Sequence, residues 1–412
     1  MQFRQQTLAN GLEVVAECNP QAYSASYAFF VRTGSRDESD ANSGVSHFLE
    51  HMVFKGTPTR TSADVNRELD ELSSNSNAYT SEESTVYYAT TLPEDQKPIV
   101  GLLSDIMRPS LRQDDFDTEK KVILEEIAKY DDQPPYGAHE KCMATYFDGH
   151  PLGRSILGTT ESITALTRQQ MLEYFEQRYS PKNIVLAAAG NVDFDRLVES
   201  AEEYCGKWQP FDAPRKLPPA APRSVTKVYA KPQSVQQYIV QASPAPAAED
   251  EARYAARVLA TIVGDDSGSR LFWELVDTGD AEYAAISAQE FQGAGILMTS
   301  ISCPPESADD ILKRIRDVLE EVQENGVTEQ ELQQAKNKIC AHLVLQSERP
   351  TSRVFSVGNG WLQRRQYRTV REVVDAYRSV TLDDIRAILK QYPLTIQTTV
   401  AVGPREKLSP IA

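Results

Sequence analysis

Histidine is scarce in this chain, with five among 412 residues. Cysteine is equally scarce. Cys18, Cys142, Cys205, Cys303 and Cys340 are odd in number, scattered, and show no C-x-x-C spacing. That pattern argues against cysteine-bound zinc and fits a reducing compartment. No apolar run approaches the ~18 residues of a membrane-spanning helix. The opening Met1-Gln2-Phe3-Arg4-Gln5-Gln6 lacks the apolar core of a signal peptide. The expected location is cytoplasmic, or periplasmic or organellar if a targeting segment was removed. Positive charge is also in deficit: 43 Lys and Arg face 59 Asp and Glu, a net charge of −16. This argues against a nucleic-acid partner. It is compatible with cationic peptide substrates, but acidity of this size equally serves solubility. The stretch Gly264–Phe272 has too few glycines, and no lysine, for a phosphate loop.

What remains is ordinary for a globular protein, 41% hydrophobic and 25% charged, and long enough for two or more domains with sizeable cores. Pro210, Pro214, Pro218, Pro219 and Pro222 crowd the middle of the chain. They mark a linker over 209–224 between an N-terminal domain, 1–208, and a C-terminal domain, 225–412. Both halves read alike. The first opens with a hairpin around Asn10-Gly11 and a strand at about 23–33. Helices are expected near 62–74, 95–108, 114–132, 137–148 and 167–178, and strands near 76–80, 84–92 and 183–189. The second runs from a strand at 236–242 to a helix at 249–263 and strands near 283–290 and 295–302. Helices at 306–324, 327–346 and 380–390 and a strand at 395–402 complete it. The expected class is α+β, with two homologous domains. Each is a mixed, mainly antiparallel sheet with helices packed on one side.

Two of the five histidines fall in His47-Phe48-Leu49-Glu50-His51. Residues four apart share a helix face, with Cβ atoms about 5–6 Å apart, so His47 and His51 can grip one ion. Glu50 projects close to the same place. Two imidazoles beside a carboxylate are the parts of a hydrolytic zinc centre, here in H-x-x-E-H order. Asn42 and Ser43 are cap candidates, Val45, Phe48, Leu49, Met52 and Val53 form an apolar stripe, and Gly56-Thr57-Pro58 ends the helix.

A third protein ligand is needed, and residues 116–130 offer it. Phe116, Ile123, Ile127 and Tyr130 define an inward stripe on one long helix. Glu119 and Glu126 fall inside it, whereas Glu125 falls with Thr118, Lys121 and Lys129 on the polar side. Carboxylates on an apolar face are costly unless paired or metal-bound. Periodicity therefore favours Glu126 as ligand and makes Glu119 a carboxylate supporting the site from behind. The corresponding helix of the second half, 249–263, carries no histidine, so one metal site per chain follows.

Several motifs together carry a resemblance. They are HFLEHMVFKGT, Asn77-Ala78-Tyr79-Thr80, Thr85-Val86-Tyr87-Tyr88, VILEEI, Pro151-Leu152-Gly153 and Ile156-Leu157-Gly158. In order and spacing the chain resembles the pitrilysin-type metallopeptidases, the inverted zincins that include insulysin and mitochondrial processing peptidase. The resemblance runs through most of 1–200 and continues more weakly beyond. It implies zinc held by His47, His51 and Glu126, Glu50 as general base, and Glu119 as the further glutamate seven residues before the third ligand. It implies that Asn77 and Ala78 lie on an edge strand to which substrate adds. In active relatives an arginine and, seven residues later, a tyrosine reach the site from the second domain. The tyrosine position matches Tyr283, but the arginine position falls on Val276. Four readings stay open: Arg270 substitutes, a partner subunit supplies the pair, turnover is slow, or the register is displaced. The resemblance further implies half of a clamshell chamber, completed by a homodimer or by a heterodimer with a related subunit. The activity it implies is zinc-dependent endopeptidase cleavage of peptides or unfolded segments. The alternative is a weak or non-catalytic peptide-binding subunit of a processing-peptidase-like complex.

Overall fold

In the computed structural model, which describes residues 1–409, both halves of the chain mix strands and helices. The first half contains β1 (Gln2–Thr7), β2 (Glu13–Cys18), β3 (Ala25–Val31), α1 (Val45–Val53), α2 (Ser62–Glu71), β4 (Asn75–Thr80) and β5 (Thr85–Thr91). It continues through α3 (Gln96–Ile106), α4 (Gln113–Asp132), α5 (Ala138–Tyr146), α6 (Thr160–Ala165), α7 (Arg168–Arg178), β6 (Ile184–Gly190) and α8 (Phe194–Cys205). The second half contains β7 (Thr226–Ala230), β8 (Gln237–Ala245), α9 (Arg253–Gly264), β9 (Tyr283–Phe291), β10 (Ala294–Cys303) and α10 (Ala308–Asn325). It ends with α11 (Glu329–Ser347), α12 (Pro350–Arg364), α13 (Val370–Ser379), α14 (Leu382–Gln391) and β11 (Thr398–Gly403).

The strands form two sheets. The first has the order β1-β2-β6-β3-β5-β4 and is antiparallel except between β2 and β6. The second has the order β7-β11-β8-β10-β9 and is antiparallel except between β7 and β11. Matching β2 with β7, β6 with β11, β3 with β8, β5 with β10 and β4 with β9 makes the two orders the same. The second sheet is thus the first without its hairpin strand β1. The mixed, mainly antiparallel sheets expected from the sequence are present, and α9 holds the place in its half that α1 holds in the first.

Two compact units result, and neither is contiguous in sequence. One comprises Met1–Ala128, Arg154–Lys216 and Val344–Arg368; the other comprises Lys129–Gly153, Leu217–Leu343 and the described residues from Thr369 onward. Residues 129–153 and 344–368 therefore sit apart from the halves that the proline-rich stretch separates. In the first unit, α1, α3, α7 and α8 pack on one face of the sheet. Its other face, lined by Val15, Ala28, Phe30, Val86 and Val185, is covered by Val354, Val357 and Leu362 of α12. The second unit follows the same plan. Helices α9, α10, α11, α13 and α14 pack on one face, and Ala138, Cys142 and Met143 of α5 cover the other. Beyond the one-sided helical layer expected, each sheet thus carries one further helix on its opposite face. Strands β3 and β6 are buried along their whole lengths, and so read as near-continuous apolar runs.

Some expectations need correction. Helix α1 is preceded by Gly44 with φ of 89°, not capped by Asn42 or Ser43, and ends at Val53 before Gly56. A Cβ at Gly44 would lie 2.5 Å from the Leu157 carbonyl oxygen, so the position requires glycine both for its φ and for its space. Tyr130 was expected on the inward stripe of α4 but is 52% exposed. Helices α6, α8, α12 and α13 and strand β7 were not anticipated. No helix among the described residues is long and apolar enough to cross a membrane.

Candidate metal centre

Helix α1 owes its position to its sequence on two sides. Val45, Phe48, Leu49, Met52 and Val53 are all buried in the first unit's main core. At its N-terminus the backbone N–H groups of Gly44 and Ser46 donate to the Glu38 carboxylate, at 2.7 and 2.8 Å. Burial pushes Glu38 up to about 8, against the pull of those donors and of the Ser46 hydroxyl. The chemical residues occupy the adjoining face. His47 is 8% and Glu50 9% exposed, and His51 is partly buried.

Helix α4 brings the third group. His47 Nε2 and His51 Nε2 each lie 3.8 Å from Glu126 Oε2, and the two imidazole centroids are 4.7 Å apart. Among the described residues these three form the one cluster whose potential ligand atoms all lie within 4.8 Å of one another. Glu125 is exposed. Glu119, buried one face-repeat earlier on α4, lies 2.8 Å from His51 Nδ1, and Lys55 Nζ is 2.6 Å from its other oxygen. Burial alone would push Glu119 up, but the contacts with His51 and Lys55 hold it below the usual carboxylate range. Burial would lower His51, but Glu119, with smaller contributions from Glu126 and Glu50, raises it. His47 is driven down to about 4 by burial, reinforced by His51, and its Nδ1 is buried without a hydrogen-bond partner.

These residues fit a zinc ion. Ligands at ~2.0–2.2 Å from one ion lie on the order of 3–4 Å from each other, as each Nε2 does from Glu126 Oε2 here. A ligand imidazole must be neutral, which burial imposes on His47. On His51, Glu119 accepts the Nδ1 proton and so leaves Nε2 as the lone-pair nitrogen facing Glu126.

Glu50 stands beside this triad without being part of it. Thr80 Oγ1 donates to Glu50 Oε2 at 2.7 Å. Burial raises the Glu50 carboxyl above its ordinary value, opposed by the Thr80 hydrogen bond. Thr80 ends β4, the edge strand of the first sheet. Asn77 is exposed there, and its side-chain oxygen accepts the Ala78 N–H at 2.8 Å. The sequence reading gave no role to Thr80 or Lys55; single hydroxyls and lysines carry no periodic signal.

The other anticipated residues belong to the second unit. Tyr283 begins β9 and is 45% exposed. Arg270 is committed to Glu331, with Nε and Nη2 at 2.7 and 3.1 Å from its two oxygens. Val276 closes a π-helical turn, Phe272–Val276.

Residues 13–160 match the insulinase family (peptidase family M16), and residues 165–339 match the M16 inactive domain. An uncharacterized zinc protease of Mycobacterium tuberculosis is 34% identical over 97% of this chain and 93% of its own length. The chain belongs to the M16 peptidase family. It has the short two-domain layout, and the candidate ligands His47, His51 and Glu126 fall in the stretch that matches the peptidase rather than the inactive domain. The fold recurs in a protease from Helicobacter pylori (TM-score 0.92, 22% identity, 98% of this chain and 99% of that one). It recurs also in complex III2 from Candida albicans (TM-score 0.84, 19% identity, 98% and 96%).

Proposed function

We propose that this M16 member is a zinc-dependent endopeptidase acting on peptides or unfolded segments. The observation that carries the reading is the convergence of His47, His51 and Glu126, with the buried Glu50 next to His51 in the chain and outside that triad. His47, His51 and Glu126 would hold zinc, which when bound would supply a Lewis acid for the scissile carbonyl and lower the pKa of water toward ~7. Glu50 takes a proton from the attacking water on its Oε1, since Thr80 holds Oε2, and passes it to the leaving amine. Burial favours its protonated form and suits that second transfer. Glu119 holds the His51 ring through Nδ1, which leaves Nε2 turned toward Glu126. The open edge of β4 at Asn77 and Ala78 is suited to an extended peptide, because main-chain pairing gives affinity without demanding one side-chain sequence. Tyr283 is the candidate for supporting the tetrahedral intermediate, and the reading includes a chamber completed by a homodimeric or heterodimeric partner.

A second reading is favoured by Val276. With Arg270 committed to Glu331, neither position offers a free arginine, as expected of a peptide-binding subunit that relies on a partner for turnover. The fold does not separate the readings, because it recurs in a protease from Helicobacter pylori and in complex III2 from Candida albicans alike. A quenched-peptide assay on zinc-loaded protein, with and without chelator, separates them. Cleavage abolished by chelator, and reduced about 10²–10⁴-fold in Glu50→Gln with zinc retained, supports the peptidase. Absence of cleavage by the zinc-loaded chain, alone and with any co-purified partner, overturns it.

A further inference from the structure

Resting on the peptidase reading above, we infer that Thr80 is a positioning residue that aims the Glu50 carboxylate and ties it to the edge strand β4. Among the described residues, the Thr80 hydroxyl is the single hydrogen-bond partner of the Glu50 side chain, at 2.7 Å. The direction of that bond follows from the hydroxyls behind it. Thr85 Oγ1 donates to the Thr33 carbonyl at 3.0 Å, so its one proton is committed and it offers Thr80 only an acceptor, 3.4 Å away. The Thr80 proton goes to the nearer acceptor, which is also the charged one. Glu50 Oε2 is therefore held and Oε1 is left for proton transfer. The Thr80 bond persists whether Oε1 carries a proton or not, so the hydroxyl guides the carboxylate through both halves of the cycle.

The sheet sets where the Thr80 hydroxyl stands. Thr80 pairs with Thr85 as the last register position of β4 and β5. Side chains alternate along a strand. Tyr79 packs on the face covered by α12, whereas Ala78 packs against the core that holds α1. Thr80 lies opposite Tyr79 in that alternation, toward Glu50. The same six-residue strand that presents Asn77 and Ala78 at the open edge thus ends in the group that orients the base. A peptide that pairs with β4 also restrains the residue that restrains Glu50.

The test compares Thr80→Val, Thr80→Ala and Thr80→Ser with wild type for kcat, KM, zinc content and melting temperature on a quenched peptide. Valine keeps branching and volume but lacks the hydroxyl, alanine is the second hydroxyl-free variant should valine fold poorly, and serine restores the donor. Expected is a fall in kcat of about 10–100-fold for valine and alanine, from loss of one hydrogen bond to a charged group. KM should stay within about twofold, zinc content should be full, and serine should recover most of kcat. Wild-type cleavage with undiminished kcat in the hydroxyl-free variants overturns the role of Thr80 alone. So does a loss confined to KM, or a serine variant as slow as valine. A wild-type protein that cleaves nothing overturns the peptidase reading and the positioning role with it.

Discussion

His51 has two faces, and each nitrogen has a different task. Nε2 looks toward Glu126 and Nδ1 toward Glu119, so the ring's tautomer and orientation depend on a carboxylate that is not itself a ligand. Removing that carboxylate should free the ring and unlock the wrong tautomer. Glu119→Ala is expected to weaken zinc binding about 10–100-fold, measured by competition with a chelator of known affinity. Glu125→Ala, changing an exposed residue on the same helix, should leave affinity at the wild-type value. Equal effects of the two changes would mean that Glu119 acts through general charge and not through His51. Much of this site is legible in the sequence, because helical geometry turns fixed spacings into contacts. His47 and His51 meet at four residues apart, and the apolar period of α4 separates Glu126 from Glu125. The same period fails at Tyr130. Helix α4 leaves the first unit after Ala128, so burial against that unit's core ends with Ile127. Thr80 and Lys55 are illegible for a different reason: each acts alone, across the fold, with no spacing to announce it.

At the scale of elements, helices with their own propensity and caps are readable, and helices made by packing are not. Helix α8 belongs to the first kind, with Asp193 accepting the Arg196 N–H and Phe194, Leu197, Ala201 and Cys205 buried. Helix α12 belongs to the second. It contains Gly358 and Gly360, and each glycine costs about 1 kcal/mol in a helix interior relative to alanine. The reason for Gly358 is visible only in three dimensions, since a Cβ there would lie 2.1 Å from the Phe30 ring. Glycine lets the helix backbone approach the β3 side chains beneath it. Gly358→Ala should accordingly destabilise the protein by about 1–3 kcal/mol despite improving helix propensity, as read from the denaturant midpoint. An unchanged or raised midpoint would show that Phe30 yields without cost.

At the scale of the whole molecule, the sequence repeat and the structural units follow different boundaries. The repeat is visible as two similar orders of strands and helices. The reciprocal placement of α5 and α12 is not, because amphipathicity says that a helix has an apolar face and not which sheet receives it. Their positions correspond: α5 follows α4 and lies on β8 and β11, and α12 follows α11 and lies on β3 and β6. The structural consequence is that neither half of the sequence contains a complete unit. Residues 1–216 lack α12, and with it Val354, Val357 and Leu362, which cover Phe30, Val86 and Val185. They also lack Arg353, whose guanidinium pairs with the buried Glu17 carboxylate, with Nε 2.7 Å from Oε1. A fragment ending at Lys216 would expose that apolar sheet face and strip Glu17 of both Arg353 and Tyr367. That fragment is expected to be insoluble or to lack a cooperative melt, even though it carries every proposed zinc ligand. Co-expression with residues 217–412 should restore soluble, zinc-loaded protein, measured by co-purification and metal content. A fragment 1–216 that melts cooperatively as a monomer would show that α12 is dispensable for the unit holding the metal centre.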